Sequence, residues 1–177
     1  MDTSKCYSPT KNSERNLNSS IISRLCYTLF MTPEQYMKLA LEEAEVSVKE
    51  GNGPFAVVVT DRDGTVIWKD HDRQKELTDP TAHREINAIR YLCKKLNTLS
   101  LRGYTFYTTS EPCPTCLTGM IKAQVFASYY GAKTESTASL PLSAEMIASY
   151  AKKYPIKVIG GILASECLTQ RNRLLSK

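Results

Sequence analysis

Residues 54–72, PFAVVVTDRDGTVIWKDHD, hold two apolar runs joined by Asp-Arg-Asp-Gly. An acidic, glycine-ended turn between β-rich runs predicts a hairpin. A lone hairpin is marginal in water, so further strands or helices must cover its apolar side chains. The chain supplies both. Ahead of the hairpin, Thr32 suits an N-cap and Pro33 the first helical position, and Met37, Ala40, Leu41, Ala44 and Val48 recur at helical spacing until Gly51. After the turn-forming Thr78-Asp79-Pro80, residues 81–96 (TAHREINAIRYLCKKL) predict a helix with Ala82, Ile86, Ile89, Cys93 and Leu96 on one face. A strand at YTFYTT, a short helix from Cys113 to about Ala123 and a strand at VFASYYG follow. Next come a helix within 143–153, a strand at IKVIGGI and a closing helix at SECLTQRNRLLS. An opening hairpin followed by alternating strands and helices predicts an α/β fold. The expected form is a three-layer α/β/α sandwich around a mixed five-stranded sheet.

At 177 residues the chain has room for one ordinary domain. Its 42% hydrophobic and 23% charged residues fit a globular protein, and no apolar run nears the roughly 18 residues that span a membrane. Residues 1–30, rich in Ser, Asn and Lys, read as a disordered leader, and 31–177 as the working domain. Arg24 interrupts the one apolar stretch of that leader, so no signal peptide is expected. Six cysteines without a regular framework then point to reduced thiols and a cytoplasmic setting. The net charge of +5 is uneven: residues 152–177 carry six Lys/Arg against Glu166 alone. Such a tail reads as the solvated face of a last helix before it reads as a phosphate contact.

The stretch Glu111-Pro112-Cys113-Pro114-Thr115-Cys116 places two cysteines three apart at a predicted helix start. By itself it fits a redox pair, a structural zinc clip or half of a catalytic metal site. His83 and Glu85 stand at the start of the preceding helix. Two thiols on one helix face, favoured as thiolates by the helix dipole, and one imidazole make a three-ligand set for Zn²⁺. A fourth position would remain for water, whose pKa the metal lowers. Glu85 lies two residues past His83, about 200° around a regular helix. Both can face one metal only if His83 sits in an irregular first turn. Glu85 would then act as proton carrier, not ligand.

His-x-Glu followed by Pro-Cys-x-x-Cys resembles the signature of the cytidine deaminase superfamily of zinc-dependent deaminases. The resemblance covers roughly residues 33–170. DPTAH-E and T-EPCP-C are close to guanine deaminases and tRNA-adenosine deaminases, and GGILASEC is similar to the closing segment of the tRNA enzymes. It implies zinc on His83, Cys113 and Cys116, Glu85 as catalytic acid/base, and a base pocket lined by Phe55, Ala56 and Glu111. It also implies a homodimer. Two departures stand out. Family members usually carry Asn eleven residues before the zinc histidine; here that position is Asp72, which accepts hydrogen bonds but does not donate them when ionised. The Phe-Asp-Asp segment of many guanine-type enzymes is missing from AKTESTASLPLSAEMI.

The favoured expectation is hydrolytic deamination of a small nucleobase-like N-heterocycle, free or as a nucleoside, with ammonia released. The alternative is adenosine in tRNA, supported by the closing similarity and the basic tail. A distant alternative is a Cys-Pro-x-Cys thiol-disulfide oxidoreductase, and a further one is a closed structural zinc site with His71 as fourth ligand.

Overall fold

The computed structural model describes residues 31–134 and 140–176. The expected leader, 1–30, lies outside them. Helix α1 (Pro33–Lys49) begins as predicted: Thr32 Oγ1 accepts from Gln35 N–H, and the Gln35 side chain accepts from Thr32 N–H. Strands β1 (Ala56–Thr60) and β2 (Val66–His71) form the hairpin. In its turn Asp61 Oδ1 accepts from the N–H groups of Asp63 and Thr65, and Gly64 takes φ +78°. A single-turn α2 (Gln74–Leu77) leads to α3 (Arg84–Lys95), β3 (Thr105–Ser110), α4 (Pro114–Lys122) and β4 (Ala127–Ala132). Helix α5 (Ala144–Ser149), β5 (Lys157–Ile159) and α6 (Ala164–Leu175) complete the described elements. Helix α5 is shorter than the predicted 143–153.

The five strands run in the order β2-β1-β3-β4-β5. Strand β1 pairs antiparallel with β2 and β3, while β3, β4 and β5 are parallel. This is the predicted mixed sheet. Alternation along β1 divides the core: Val57 and Val59 pack with Leu92, Leu117 and Met120, whereas Val58 packs with Tyr36, Met37 and Ala40. Helices α3, α4 and α5 therefore cover one face, and α1 and α6 the other.

The buried face of α3 follows the predicted one only in part: Ala82 is buried, and Ile89 and Cys93 pack against the core. Ala88 and Leu92 enter the core, whereas Ile86, Ile89 and Cys93 are half-buried and Leu96 is exposed. Ile86 and Ile89 lean toward Gly119 of α4, where a Cβ would meet Ile86 Cδ1 at 2.9 Å. Two neighbours, sheet and helix, share the apolar stripe, so no single row of residues is the buried one. The basic closing helix is also tied down. Arg171 donates to Ser110 Oγ and to the Lys133 carbonyl, and Arg173 pairs with Glu45.

Strand directions bring four chain segments to one end of the sheet. Ala56 opens β1 opposite His71 at the end of β2, and Ser110 ends β3 beside Ala132 at the end of β4. Crevices at the carboxyl ends of strands are where open α/β sheets bind ligands.

Candidate metal centre and its pocket

Helix α3 starts one residue after His83, which is its N-cap in extended conformation (φ −72°, ψ 150°). Its ring is thus not bound to helical geometry. Asn87 secures this entry by donating from Nδ2 to the carbonyls of Ala82 and His71, tying the helix start to β2. Cys113 is likewise the extended N-cap of α4, with Pro114 at N1, and Cys116 lies buried one turn on.

These two helix starts put three ligand atoms together. Cys113 Sγ is 3.4 Å from Cys116 Sγ, and His83 Nδ1 is 3.7 Å from the first sulfur and 3.4 Å from the second. The sulfurs are far beyond the ~2.05 Å of a disulfide. A tetrahedral zinc with Zn–S near 2.3 Å and Zn–N near 2.0 Å would space its ligands by about 3.5–3.8 Å. The donor set fits. Among the described residues no fourth His, Cys, Asp or Glu joins this group. His71 sits elsewhere, buried, with Nδ1 2.8 Å from Glu43 and Nε2 3.1 Å from Glu50, so it is not a fourth ligand. It belongs to a second group with Glu50 and Glu76, of which Glu76 is held by Arg73 at 2.8 Å.

Electrostatics at the centre follow from the close sulfurs. The hydrogen bond from Cys116, helped by His83, holds the Cys113 thiol far below its ordinary range, and Cys116 is raised in turn. His83 is raised by Cys113, against the effect of burial. Glu85 is fully buried and raised, first by desolvation and against the pull of Arg84. Arg84 Nη2 lies 2.9 Å from Glu85 Oε1 without hydrogen-bond alignment, so neither carboxylate oxygen has a hydrogen bond among the described residues. A buried carboxylate with both oxygens unsatisfied suits a group that exchanges protons with something bound beside it.

A cavity of about 860 Å³ opens over this centre. His83, Cys113 and Cys116 line it together with Phe55, Asp72 and Glu111. Ala56 and Glu85 are not among its lining residues; both are buried, and Ala56 donates from its N–H to Thr109 Oγ1. Glu111 reaches the cavity while its Oε1 accepts from Ala144 N–H at 2.9 Å, fixing the start of α5.

Sequence reasoning missed Arg84. It lines the cavity, is only 4% exposed, and holds Asp72 Oδ1 through its backbone N–H at 2.9 Å and Nη1 at 3.4 Å. Its Nη2 donates to the Ser110 carbonyl at 3.1 Å, and its guanidinium lies 5.3 Å from the Phe55 ring centroid. A signal was available. A cation in the first turn of a helix opposes the helix dipole, so Arg84 needed an acidic partner, and Asp72 is that partner.

Fold and site together define an α/β scaffold in which His83, Cys113 and Cys116 would hold a metal ion such as zinc. The chain belongs to the cytidine and deoxycytidylate deaminase family, whose zinc-binding region matches residues 31–132. It is 37% identical over 95 residues to a tRNA-specific adenosine deaminase of Aquifex aeolicus, covering 54% of this chain and 62% of that protein. It is 38% identical over 104 residues to a guanine deaminase of Bacillus subtilis, covering 58% and 66%. The match thus spans just under two thirds of each relative. A solved structure from studies of A-to-I editing by tRNA:A34 deaminases is similar with a TM-score of 0.67 and 31% identity, over 77% of this chain and 98% of that one. Zinc is accordingly the metal of this site. The oxidoreductase reading falls, because His83 sits against the sulfur pair and the family is one of deaminases.

Proposed function

We propose that the chain is a zinc-dependent hydrolytic deaminase that converts an amino-bearing ring carbon of a small nucleobase-like heterocycle to the oxo form. The observation that carries this reading is the His83–Cys113–Cys116 triangle lining one cavity, with the buried Glu85, without a hydrogen bond among the described residues, in the same helix start as His83. Zinc, when bound to these three side chains, supplies a water of lowered pKa as the nucleophile. Glu85 would carry one proton of that water to the adjacent ring nitrogen, and then the proton left on the new hydroxyl to the departing amine. A C–O bond forms, the C–N bond breaks, and ammonia leaves with no oxidant needed. Phe55 offers its ring to the base. Asp72 lines the wall, and its acceptor character supports a small free heterocycle.

Adenosine in tRNA is the second reading, supported by the similarity to the Aquifex aeolicus and A34 deaminases. A homodimer accompanies either reading; Leu140 and Leu142 at the cavity, with Met146 and Tyr150 after them, are exposed apolar side chains suited to a partner copy. A cytoplasmic setting keeps the two thiols reduced, as ligation requires. The test is Glu85→Gln: zinc content should stay near that of the wild type while ammonia release falls roughly 10²–10⁴-fold. Turnover at the wild-type rate would refute the proton-carrier role.

A further inference from the structure

We propose that Asp72 and Arg84 form one fixed reading unit that admits a heterocycle presenting a ring N–H, with Arg84 as a specificity-determining residue. The proposal rests on the deaminase reading above. Two donors of Arg84, the backbone N–H and Nη1, converge on Oδ1 of Asp72. Oδ2 carries no hydrogen bond among the described residues, lies 3.9 Å from where a Gly53 Cβ would stand, and belongs to a side chain that lines the cavity with Phe55. The guanidinium cannot swing away. Ser110 holds its Nη2, Phe55 covers it, and the Glu85 carboxylate lies 2.9 Å from Nη2.

The consequence concerns hydrogen-bond polarity. With Oδ1 taken twice, the group that Asp72 leaves for a ligand is an acceptor. A ring N–H satisfies it, whereas a ring nitrogen lone pair faces another lone pair. Outside its reacting amino group, adenine linked to a sugar shows acceptors only, whereas free nucleobases keep a ring N–H at the position that glycosylation removes. The wall therefore selects free aminoheterocycles over adenosine in a nucleic acid.

Arg84 also dictates what an amide would do at this position. In Asp72→Asn the amide oxygen must face the two Arg84 donors, so the NH₂ group lands where Oδ2 was. That substitution should invert the wall from acceptor to donor.

The experiment uses the full chain loaded with zinc. Calorimetry on Glu85→Gln measures binding of guanine, cytosine and adenine, each paired with analogues methylated at every ring N–H. Ammonia release from the wild type gives kcat/KM for the same panel and for a tRNA anticodon stem-loop. In the Asp72 background, blocking one ring N–H should weaken binding and kcat/KM about tenfold or more. In Asp72→Asn this penalty should disappear, and Arg84→Lys, which keeps the charge and loses the fork, should reduce it. A penalty unchanged in Asp72→Asn reports methyl bulk alone and overturns the proposal. So does no penalty, no binding by any heterocycle, or stem-loop turnover matching the best free base. Discrimination by Asp72 with no ammonia from any substrate would instead refute the deaminase reading and leave the polarity of the wall standing.

Discussion

His83 Nδ1 and Cys116 Sγ lie 3.4 Å apart across thirty-three residues of chain, because two helices begin at the same end of one sheet with their caps facing. Neither helix needs a distorted turn. Each contributes a ligand from an extended N-cap, and α4 adds a second from its first turn. The first cap is tied to the sheet through Asn87, which donates to the carbonyl of His71 in β2, and the second follows β3 by three residues.

Removing one ligand should therefore remove the metal. His83→Ala or Cys113→Ser is expected to lower bound zinc from one per chain to a small fraction, read by elemental analysis after dialysis. Because zinc binds the folded state, chelation should also lower the melting temperature of the wild type. The loss is about 3 kcal/mol if free zinc had stood near 100 times Kd, and the ligand variants should show no such shift.

Arg84 stands between two buried carboxylates, Asp72 and Glu85. Arg84→Met leaves both without a countercharge and should cost about 3–5 kcal/mol in urea unfolding. Adding Asp72→Asn removes one of the stranded charges. The double variant should therefore be more stable than the sum of the single changes, by about 0.5–3 kcal/mol.

His71 titrates with Glu43. Burial opposes the charged ring, yet the Glu43 hydrogen bond and the nearby Glu50 outweigh it and leave the His71 pKa above its ordinary 6.5. Arg73 is the cation facing the ring and acts against it. Glu43 is held below 4.5, chiefly by the same hydrogen bond. The His71 contribution is whole below 6.5 and is lost as pH rises through the elevated value. The Glu43 contribution is whole above 4.5 and is lost as pH falls through the depressed value. Stability from the pair thus peaks between the two, and His71→Gln should flatten the decline in melting temperature between about pH 6 and pH 9.

Gly131 of β4 has no room for a side chain. A Cβ there would stand 2.7 Å from the Thr109 carbonyl and collide with the Cys167 side chain of α6. Gly131→Ala should destabilise the protein by about 1–3 kcal/mol, measured by denaturant titration, since backbone on one side and the buried Cys167 side chain on the other both resist movement.

Local chemistry made much of this legible before any coordinates. Thr32-Pro33, the Asp-Arg-Asp-Gly turn and the alternation of strands and helices act over a few residues, so the helix start, the hairpin and the layered α/β fold could be read directly. The three ligand side chains were legible for a similar reason: each sits in a short motif at a helix start. Which residues of α3 are fully buried was not, because α4 and the sheet compete for the same apolar stripe.

Arg84 shows the boundary most clearly. As one residue between His83 and Glu85 it reads as a solvated cation. Only the pairing of β1 with β2 and β3 brings Asp72, Phe55 and the Ser110 carbonyl around it, and these contacts span 12 and 26 residues to Asp72 and Ser110. The sequence determined which side chains can bind zinc. Tertiary structure decided the polarity of the wall facing the substrate, because burial of a charge depends on partners that the chain supplies from a distance.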